Sequence, residues 1–219
     1  NILVSDRGFP GLVLKLAGEF REFSLDEHAG VLKAGSAVKL PLLSTYLARR
    51  GFSGFAFACG IPGTVGGALR MNAGTKHGEI KDVFLSAELL TPALRTRKVD
   101  SKEMHFRYRT STLKDSRDIV LEARFRLVAR KDPAEIMSDM EKILADRKRR
   151  RPKIPRNCGS VFKNPPGAKS AGYYIEQAGF KNAEQGRARV AEEHANWIVN
   201  LDSATAQDVK TLIQRIQEA

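Results

Sequence analysis

The chain has 219 residues and carries 37 lysines and arginines against 25 aspartates and glutamates, a formal net charge of +12. A hydrophobic share of 42% is ordinary for a globular protein of one or two domains. No apolar run reaches membrane-spanning length and no signal-peptide pattern is present, so we expect a cytoplasmic protein without a membrane partner. The two cysteines and four histidines form no CxxC, HExxH or paired spacing, which predicts neither a disulfide framework nor a metal site.

Short strands separated by Gly, Pro and Asp are predicted across the first half of the chain. A helix interrupts them over 41–50, because Pro41 suits a first helical turn and Gly51 ends the helix. This mixture predicts an α+β fold with a mostly antiparallel or mixed sheet. The expected strands cover 12–16, 19–24, 31–34, 82–90, 96–100 and 119–128.

The second half begins with a long helix that Asp132 caps and Pro152 ends. This charged segment is the predicted junction between two domains. The predicted organisation is residues 1–131, a connecting helix at 132–152, and residues 153–219. The last part predicts a small α+β layer with strands at 160–164, 188–191 and 196–201 and helices at 170–178 and from 205 onward.

The positive charge is concentrated in an unbroken basic run at 147–151. Such a run indicates an anionic partner, which is either a small ligand or a nucleic acid. It is also typical of a solvated helix end, where cations interact favourably with the helix dipole. The sequence around the run lacks the interleaved aromatic residues of a nucleic-acid platform, so we expect no nucleic-acid partner.

The segment 60–74, GIPGTVGGALRMNAG, contains five glycines and one proline. Glycine lets the backbone approach a ligand closely, and the amides of such a loop suit a diphosphate if a helix begins at Gly66 or Gly67. The spacing matches neither GxGxxG nor GxxxxGK[ST]. A purely structural turn is the alternative interpretation, and a phosphate-bearing ligand is the favoured one.

The sequence NCGSVFKNP at 157–165 is the second candidate for chemistry. If 160–164 is a strand, Ser160 and Asn164 share one face about 13 Å apart, which suits a long ligand. The GxSxG pattern is missing and no histidine follows closely in sequence, so a hydrolase is disfavoured. A serine can still donate a proton to a stronger base placed opposite it.

Five motifs follow one another along the chain: GIPGTVGGALRMNAG, FRYRTS, NCGSVFKNP, SAGYYIEQAGFK and HANWIVN. In this order they resemble the UDP-N-acetylenolpyruvoylglucosamine reductase (MurB) family, which are flavoproteins of peptidoglycan precursor synthesis. The resemblance covers nearly the whole chain. It is to the shorter type of the family, which lacks an inserted tyrosine-bearing loop.

This resemblance implies an FAD-binding domain of the PCMH/vanillyl-alcohol-oxidase type followed by a small α+β substrate-binding domain. It implies an enzyme that takes hydride from NADPH through FAD and delivers it to the enolpyruvyl group of a UDP-sugar, giving UDP-N-acetylmuramate. Ser160 would donate the proton at C2, and Arg109 would stabilise the developing enolate and its carboxylate. The implied protein is a monomer whose partners are the UDP-sugar and NADPH.

The resemblance also implies which residues contact each bound molecule. The residues that would bind the UDP-sugar are Tyr108, Arg150, Lys163 and Asn164. The residues that would contact FAD are Asn1, Gly60, Ile61, Pro62, Gly63, Thr64, Gly66, Gly67, Asn72, Gly74, Ile119 and Gly159.

Two elements of the family are expected outside these 219 residues. The family's glycine-rich segment on the FAD pyrophosphate would end at Asn1, and its last strand and third catalytic carboxylate would follow Ala219. We therefore expect little or no turnover from the 219 residues alone. The alternatives left open are another FAD-dependent oxidoreductase of related fold and, less favoured, a basic nucleic-acid-binding protein.

Overall fold

The computed structural model describes residues 2–127, 130–150, 152, 154 and 156–219, with the backbone alone for Arg150 and Cys158. The chain folds as two compact units. The large unit is Leu14–Arg147, and the small unit joins Asn1–Val13 to Lys148–Ala219. The domain boundaries expected at 131 and 152 stay a prediction.

The large unit combines an antiparallel sheet with helices. Its helices are α1 (Leu40–Ala48), α2 (Val65–Met71) and α3 (Pro133–Arg150), the last of which starts in this unit. Its strands are β1 (Phe23–Asp26), β2 (Val31–Gly35), β3 (Gly74–Thr75), β4 (Gly78–Glu79), β5 (Phe84–Leu90), β6 (Thr96–Asp100) and β7 (Ile119–Arg126). The sheet has the order β1-β2-β7-β5-β6, and β3 pairs separately with β4.

The core of the large unit lies between this sheet and the helices α1 and α2. Leu32 of β2 is fully buried, as are Leu43 and Leu47 on the inner face of α1. The rings of Phe55 and Phe125 meet edge to face with their centroids 5.1 Å apart. Burial of each such side chain contributes about 2 kcal/mol, so this cluster fixes the loops that connect the sheet to the helices.

The small unit is a second antiparallel sheet with two helices on it among the described residues. Its strands are β8 (Asn157–Ser160), β9 (Glu184–Gln185), β10 (Ala188–Val190) and β11 (Trp197–Asn200), in the order β8-β11-β10-β9. Its helices are α4 (Ala171–Gln177) and α5 (Ala206–Glu218). Leu212 of α5 is fully buried and packs in one cluster with Ile175, Val190 and Ile198.

The first turn of α5 has its backbone N–H groups satisfied by side chains. The Thr205 hydroxyl accepts from Asp208 N–H and the Asp208 carboxylate accepts from Thr205 N–H, both at 3.0 Å, which is a capping box. The Asp6 carboxylate accepts from Ala206 N–H at 2.6 Å and from Gln207 N–H at 2.9 Å. These hydrogen bonds attach the segment around Asp6 to α5.

Three predicted strands need correction. Residues 12–16 form no regular element, because Leu12 and Val13 find no pairing strand in the described part and remain 82% and 77% exposed. Residues 19–24 divide into a 3₁₀ turn, Gly18–Arg21, and the start of β1. The strand expected over 160–164 lies at Asn157–Ser160 instead. The other predicted helices and strands are confirmed to within a few residues.

Helix α3 spans 18 residues and is strongly charged. Throughout the described ranges, the helices lack the combination of length and apolar character that crossing a membrane requires. Within the same ranges, no three His, Cys, Asp or Glu side chains are grouped so that they could hold a metal ion.

Candidate active site

A cavity of about 810 Å³ opens in the large unit beside the first turn of α2. Its walls are the connection from β2 to α1, the start of α2, the start of β7 and the segment 14–16. Small-molecule and cofactor sites have volumes of roughly 300–1,000 Å³, so the cavity is large enough for a dinucleotide. The predicted FAD contacts that line it are Thr64, Gly66, Gly67 and Ile119.

Backbone hydrogen bonds fix the first turn of α2 against the β2–α1 connection. Val65 N–H donates to Val38 O at 3.0 Å, and Gly66 N–H donates to Ser36 O at 2.9 Å. Leu40 N–H donates to Gly63 O at 3.1 Å. The helix starts at Val65, one residue before the predicted start, and the amides of Val65 and Gly66 bind the protein itself rather than pointing at a ligand.

The two adjacent glycines of α2 have different surroundings. A Cβ on Gly66 would lie 3.2 Å from Ser36 Cβ and 3.4 Å from Ser36 O, so this glycine allows close packing. A Cβ on Gly67 would meet only Thr64 Oγ1, at 4.0 Å. Gly67 therefore leaves open space on the cavity wall, which lets a ligand approach the backbone.

Ser36 places an unsatisfied hydroxyl on the cavity wall. Ser36 is 4% exposed, and its Oγ has no hydrogen-bond partner in the described structure. An unsatisfied buried hydroxyl costs about 1–3 kcal/mol. A ligand atom that accepts from or donates to this Oγ would remove that cost.

Cationic side chains surround the same cavity. Lys15, Arg21, Lys39 and Arg70 line it, with Asp118 as the acidic group on the wall. The Arg70 guanidinium is held by Leu113 O at 2.5 Å and Lys114 O at 2.7 Å. An excess of positive charge around a concave site favours an anionic ligand such as a diphosphate.

The other predicted FAD contacts lie away from this wall. In the large unit they are Gly60, Ile61, Pro62, Gly63, Asn72 and Gly74. A Cβ on Gly60 would lie 3.0 Å from Arg147 Cδ, so this glycine lets α3 pack closely. Gly159 belongs to the small unit, and Asn1 lies outside the described residues. Contacts of these residues with FAD stay predictions.

The FRYRTS motif folds back on the end of the glycine segment. Asn72 is fully buried with φ of +41°, and its Nδ2 donates to Arg107 O at 3.2 Å. Ser111 Oγ donates to Arg70 O at 3.0 Å. These side-chain hydrogen bonds hold the two motifs against each other. The sequence patterns, taken one by one, did not predict this contact.

Arg109 and Tyr108 form the tip of the turn in this motif, between Arg107 and Thr110, which pair across it. Arg109 has a left-handed φ of +53°, a conformation that costs a non-glycine residue roughly 1–2 kcal/mol. Its guanidinium donates to Gly74 O at 2.6 Å and lies 5.3 Å from the Tyr108 ring centroid. Strained residues of this kind cluster at functional sites.

Ser160 lies directly after a β-bulge in the small unit. Trp197 pairs with Ser160 but Val199 pairs with Asn157, so β8 carries one more residue than β11 over this stretch. Gly159 takes a φ of +84° at the bulge. Bulges redirect the side chain that follows them, and the Ser160 side chain is exposed.

The segment after Ser160 is not a strand, because an asparagine side chain replaces the ladder there. Asn196 Oδ1 accepts from Phe162 N–H at 2.8 Å, and its Nδ2 donates to Phe162 O at 2.9 Å. Val161 N–H donates to the backbone O of Asn196 at 2.8 Å. Ser160 and Asn164 therefore do not share a strand face, and the 13 Å separation estimated from a regular strand does not apply.

The predicted UDP-sugar contacts are divided between the units. Lys163 and Asn164 are exposed, and Asn164 Oδ1 accepts from Ala171 N–H at 3.0 Å at the start of α4. Tyr108 is 48% exposed on the large unit. The side chain of Arg150 lies outside the described residues. Their contacts with substrate stay predictions.

Sequence reasoning missed Ser36, Asn157 and Asn196. Ser36 follows Gly35 between a strand and a helix, and this glycine followed by a small polar residue is the signal that could have found it. Asn157 lies in NCGSVFKNP, where only Ser160, Lys163, Asn164 and Gly159 were assigned roles, and Asn196 lies in HANWIVN, which served only as a family signature. Their role depends on backbone geometry that no local pattern encodes.

Two domain families match the chain. Residues 1–99 match the FAD binding domain, and residues 151–219 match the C-terminal domain of UDP-N-acetylenolpyruvoylglucosamine reductase. Most of the cavity wall falls within 1–99. The predicted α+β fold with FAD as cofactor is confirmed, and the chain is an FAD-binding flavoprotein.

Relatives extend the match to the whole chain. The UDP-N-acetylenolpyruvoylglucosamine reductase of Gloeobacter violaceus is 39% identical to this chain. The matched region spans 100% of this chain and 73% of the relative. The UDP-N-acetylenolpyruvoylglucosamine reductase 2 of Symbiobacterium thermophilum is 42% identical to this chain, and the match spans 99% of this chain and 69% of that relative. The crystal structure of the reductase (MurB) from Thermus caldophilus matches with a TM-score of 0.85 at 40% identity, covering 99% and 77%. The chain belongs to the UDP-N-acetylenolpyruvoylglucosamine reductase family.

The cavity of the large unit fits FAD. It has the volume for a dinucleotide, an excess of cations for a diphosphate and an open backbone at Gly67. The buried Ser36 hydroxyl lacks a partner in the described structure, as expected if the cofactor supplies one. Thr64, Gly66, Gly67 and Ile119 would line the bound cofactor together with Ser36.

Proposed function

We propose that this protein catalyses the reduction of UDP-N-acetyl-3-O-(1-carboxyvinyl)glucosamine to UDP-N-acetylmuramate in peptidoglycan precursor synthesis. The observation that carries the proposal is the match, over the whole chain, to reductases of this name. The two motif-bearing regions, the glycine segment and the Ser160 segment, both fall within that match.

The reaction adds one hydride and one proton across the carbon–carbon double bond of the enolpyruvyl group. NADPH is oxidised to NADP⁺, and the proton comes from an acidic group of the protein and is replaced from water. FAD supplies the two-electron chemistry that passes hydride from NADPH to the substrate's C3. The protein must then bind the carboxylate, protonate C2 and exclude water.

Arg109 is the residue we propose to stabilise the negative charge that develops on the substrate's carboxyl-bearing end. Guanidinium has five N–H donors, and one terminal nitrogen of Arg109 is held by Gly74 O at 2.6 Å. This hydrogen bond and the adjacent Tyr108 ring fix the orientation of the guanidinium. A pre-oriented cation stabilises a transition-state charge without reorganising at the moment of reaction.

Ser160 is the residue we propose to donate the proton to C2. Its side chain is exposed at the end of β8, where a substrate can reach it. A serine hydroxyl is a weak acid, but a carbon base as strong as an enolate can take its proton. Lys163, Asn164, Arg150 and Tyr108 would hold the UDP portion of the substrate.

The partners and location of the protein follow as further parts of the proposal. We propose a cytoplasmic monomer that binds the UDP-sugar and NADPH and no nucleic acid. A DNA complex that weakens steeply with salt in a protein free of flavin would contradict the proposal and favour a nucleic-acid-binding function instead.

Two measurements test the proposal. The purified protein should show a bound-flavin absorbance spectrum, and the UDP-enolpyruvyl sugar should accelerate NADPH oxidation. Ser160→Ala and Arg109→Ala should each lower that rate by about 100-fold while flavin binding is kept. These rates are measured in a chain extended at both ends to the length of its relatives, of which this chain covers 73% and 69%. Flavin-bound protein that reduces a different substrate would favour another FAD-dependent oxidoreductase.

A further inference from the structure

Two asparagine side chains hold the backbone on either side of Ser160. Before it, Asn157 Oδ1 accepts from Gly159 N–H at 3.2 Å, and Asn157 Nδ2 donates to Ile154 O at 2.9 Å. After it, the Asn196 amide binds both the N–H and the carbonyl of Phe162. The main chain of Ser160 is therefore fixed on both sides while its side chain remains exposed.

The Asn196 side chain takes the place of a strand residue. A primary amide presents one acceptor and one donor in the same plane, as a peptide group does, so it can close a two-bond ring with Phe162. Asn196 is 3% exposed, and its own N–H donates to His194 Nδ1 at 3.2 Å. A residue this buried acts on a substrate only through the backbone that it holds.

The bulge explains why these bonds are needed. Where β8 carries an extra residue, Gly159 N–H loses the regular partner that a ladder would supply, and the Asn157 side chain provides one. Beyond Ser160 the ladder ends and Asn196 continues it by its side chain. Without both side-chain amides, the N–H groups of Gly159 and Phe162 would lose these acceptors. The backbone at Ser160 would then be held only by its pairing with Trp197 and by the Val161 N–H bond to Asn196 O among the contacts described here.

We infer that Asn196, assisted by Asn157, is a positioning residue that orients the Ser160 hydroxyl for proton donation. The inference rests on the proposed function, in which Ser160 supplies the proton. Misplacement of a reacting group by about 1 Å costs up to 100-fold in rate. The loss of the Asn196 amide should therefore lower the chemical step and leave substrate binding nearly unchanged.

Amide hydrogen exchange tests the structural half of this inference. In Asn196→Ala the amide of Phe162 should exchange at least 10-fold faster, because its acceptor is gone. Asn200→Ala is the matched control, since Asn200 lies at the other end of β11 and its Oδ1 accepts from Ala204 N–H at 2.9 Å. It should leave the Phe162 amide protected. Unchanged exchange of Phe162 in Asn196→Ala would overturn the inference.

Rapid kinetics test the functional half. With protein in excess, the NADPH-reduced enzyme is mixed with the UDP-enolpyruvyl sugar and a single turnover is followed by flavin absorbance. Asn196→Ala should slow this step about 10-fold with less than a twofold change in substrate affinity. Reduction by NADPH should be unchanged. Asn196→Asp keeps the volume but places an oxygen against Phe162 O, so it should behave like Asn196→Ala and serves if the alanine variant unfolds.

A double-mutant comparison separates positioning from general stability. In a Ser160→Ala background, Asn196→Ala should cause no further loss of rate, because the hydroxyl that it orients is absent. Multiplicative losses would mean that Asn196 acts independently of Ser160 and would overturn the inference. If the unsubstituted chain, extended at both ends to the length of its relatives, lacks substrate-dependent reoxidation, the proposed function fails. The exchange experiment still decides whether Asn196 holds Phe162.

Discussion

The two candidate regions of this protein are held in place by opposite means. At the first turn of α2 in the large unit, backbone groups bind backbone groups, as between Val65 N–H and Val38 O. In the small unit, side chains bind backbone groups, as between Asn196 and Phe162 or Asp6 and the first turn of α5. The glycines beside the cavity of the large unit thus matter because they lack side chains, whereas the Ser160 segment is held by side chains that are present.

This difference predicts which substitutions matter in each region. At the glycines of the segment 60–74 that pack closely, adding a Cβ should do most of the damage. Around Ser160 and α5, removing one polar side chain should release a whole segment. The following experiments probe the contrast in order of decreasing effect.

Gly74→Ala should produce the largest loss. The new Cβ would lie 2.7 Å from Gly78 O and nearer still to Glu79 Cβ, and both neighbours belong to the paired strand β4. Overpacking of this kind should lower the free energy of unfolding by about 3 kcal/mol, measured by urea denaturation. Gly67→Ala is the control, because its Cβ enters open space and Ala favours a helix by about 0.5–1 kcal/mol. Equal destabilisation by both variants would contradict the account.

Asp6→Ala should lower the free energy of unfolding by about 1 kcal/mol, because it removes the acceptor for two first-turn amides of α5. Asp6→Asn keeps an acceptor oxygen and should lose less. Urea denaturation gives the size of the effect, and hydrogen exchange of Ala206 and Gln207 locates it. If those two amides stay protected in Asp6→Ala, the capping role is wrong.

Ser36→Ala should weaken FAD binding without weakening the FAD-free protein. It removes a hydroxyl that is unpaired in the described structure, so the free energy of unfolding of the apoprotein should stay level or rise. FAD affinity, measured by flavin fluorescence, should fall about fivefold for one lost hydrogen bond. Ser44→Ala should do the reverse, since Ser44 Oγ donates to Phe55 O at 2.8 Å in the core. Unaltered FAD affinity in Ser36→Ala would remove Ser36 from the site.

Cys59 should give the smallest effect, and it appears only at alkaline pH. Burial raises the pKa of the Cys59 thiol above its ordinary value of 9.0. The unfolded chain then releases this proton first, so the free energy of unfolding should fall by roughly a few tenths of a kcal/mol as pH rises past about 9. Urea denaturation between pH 7.5 and 9.5 should show a steeper fall in the unsubstituted protein than in Cys59→Ala. Parallel curves would mean that the thiol titrates normally.

Local patterns predicted most of the fold because they act over one element at a time. The helix that follows Asp132, the helix expected from 205 onward and the strand expected at 96–100 each appear where the sequence placed them. The failures involve partners distant in sequence. Residues 12–16 look like a strand but have no ladder in the described structure, and the strand expected at 160–164 ends at Ser160 because Asn196 replaces the ladder.

The parts of the candidate site that lie in a recognisable motif could be predicted from the sequence. The parts that depend on packing between distant residues could not. Glycine content identified the wall that Gly66 and Gly67 form. Glycine content could not predict that Gly60 allows α3 to pack closely, because its neighbour there, Arg147, is distant in sequence. Ser36 was missed because a single small hydroxyl has no periodicity, and only its burial without a partner distinguishes it.

The hold of Asn196 on Phe162 has a consequence for the engineering of this protein. Both hydrogen bonds end on the main chain of Phe162, so they do not depend on which side chain stands at that position. Val161 and Phe162 also pack against the core of the small unit, but Lys163 is exposed and can be varied in a library while Asn196 keeps its hold on the main chain. Substrate preference could then be selected at that position without changing the orientation of Ser160, the proposed proton donor.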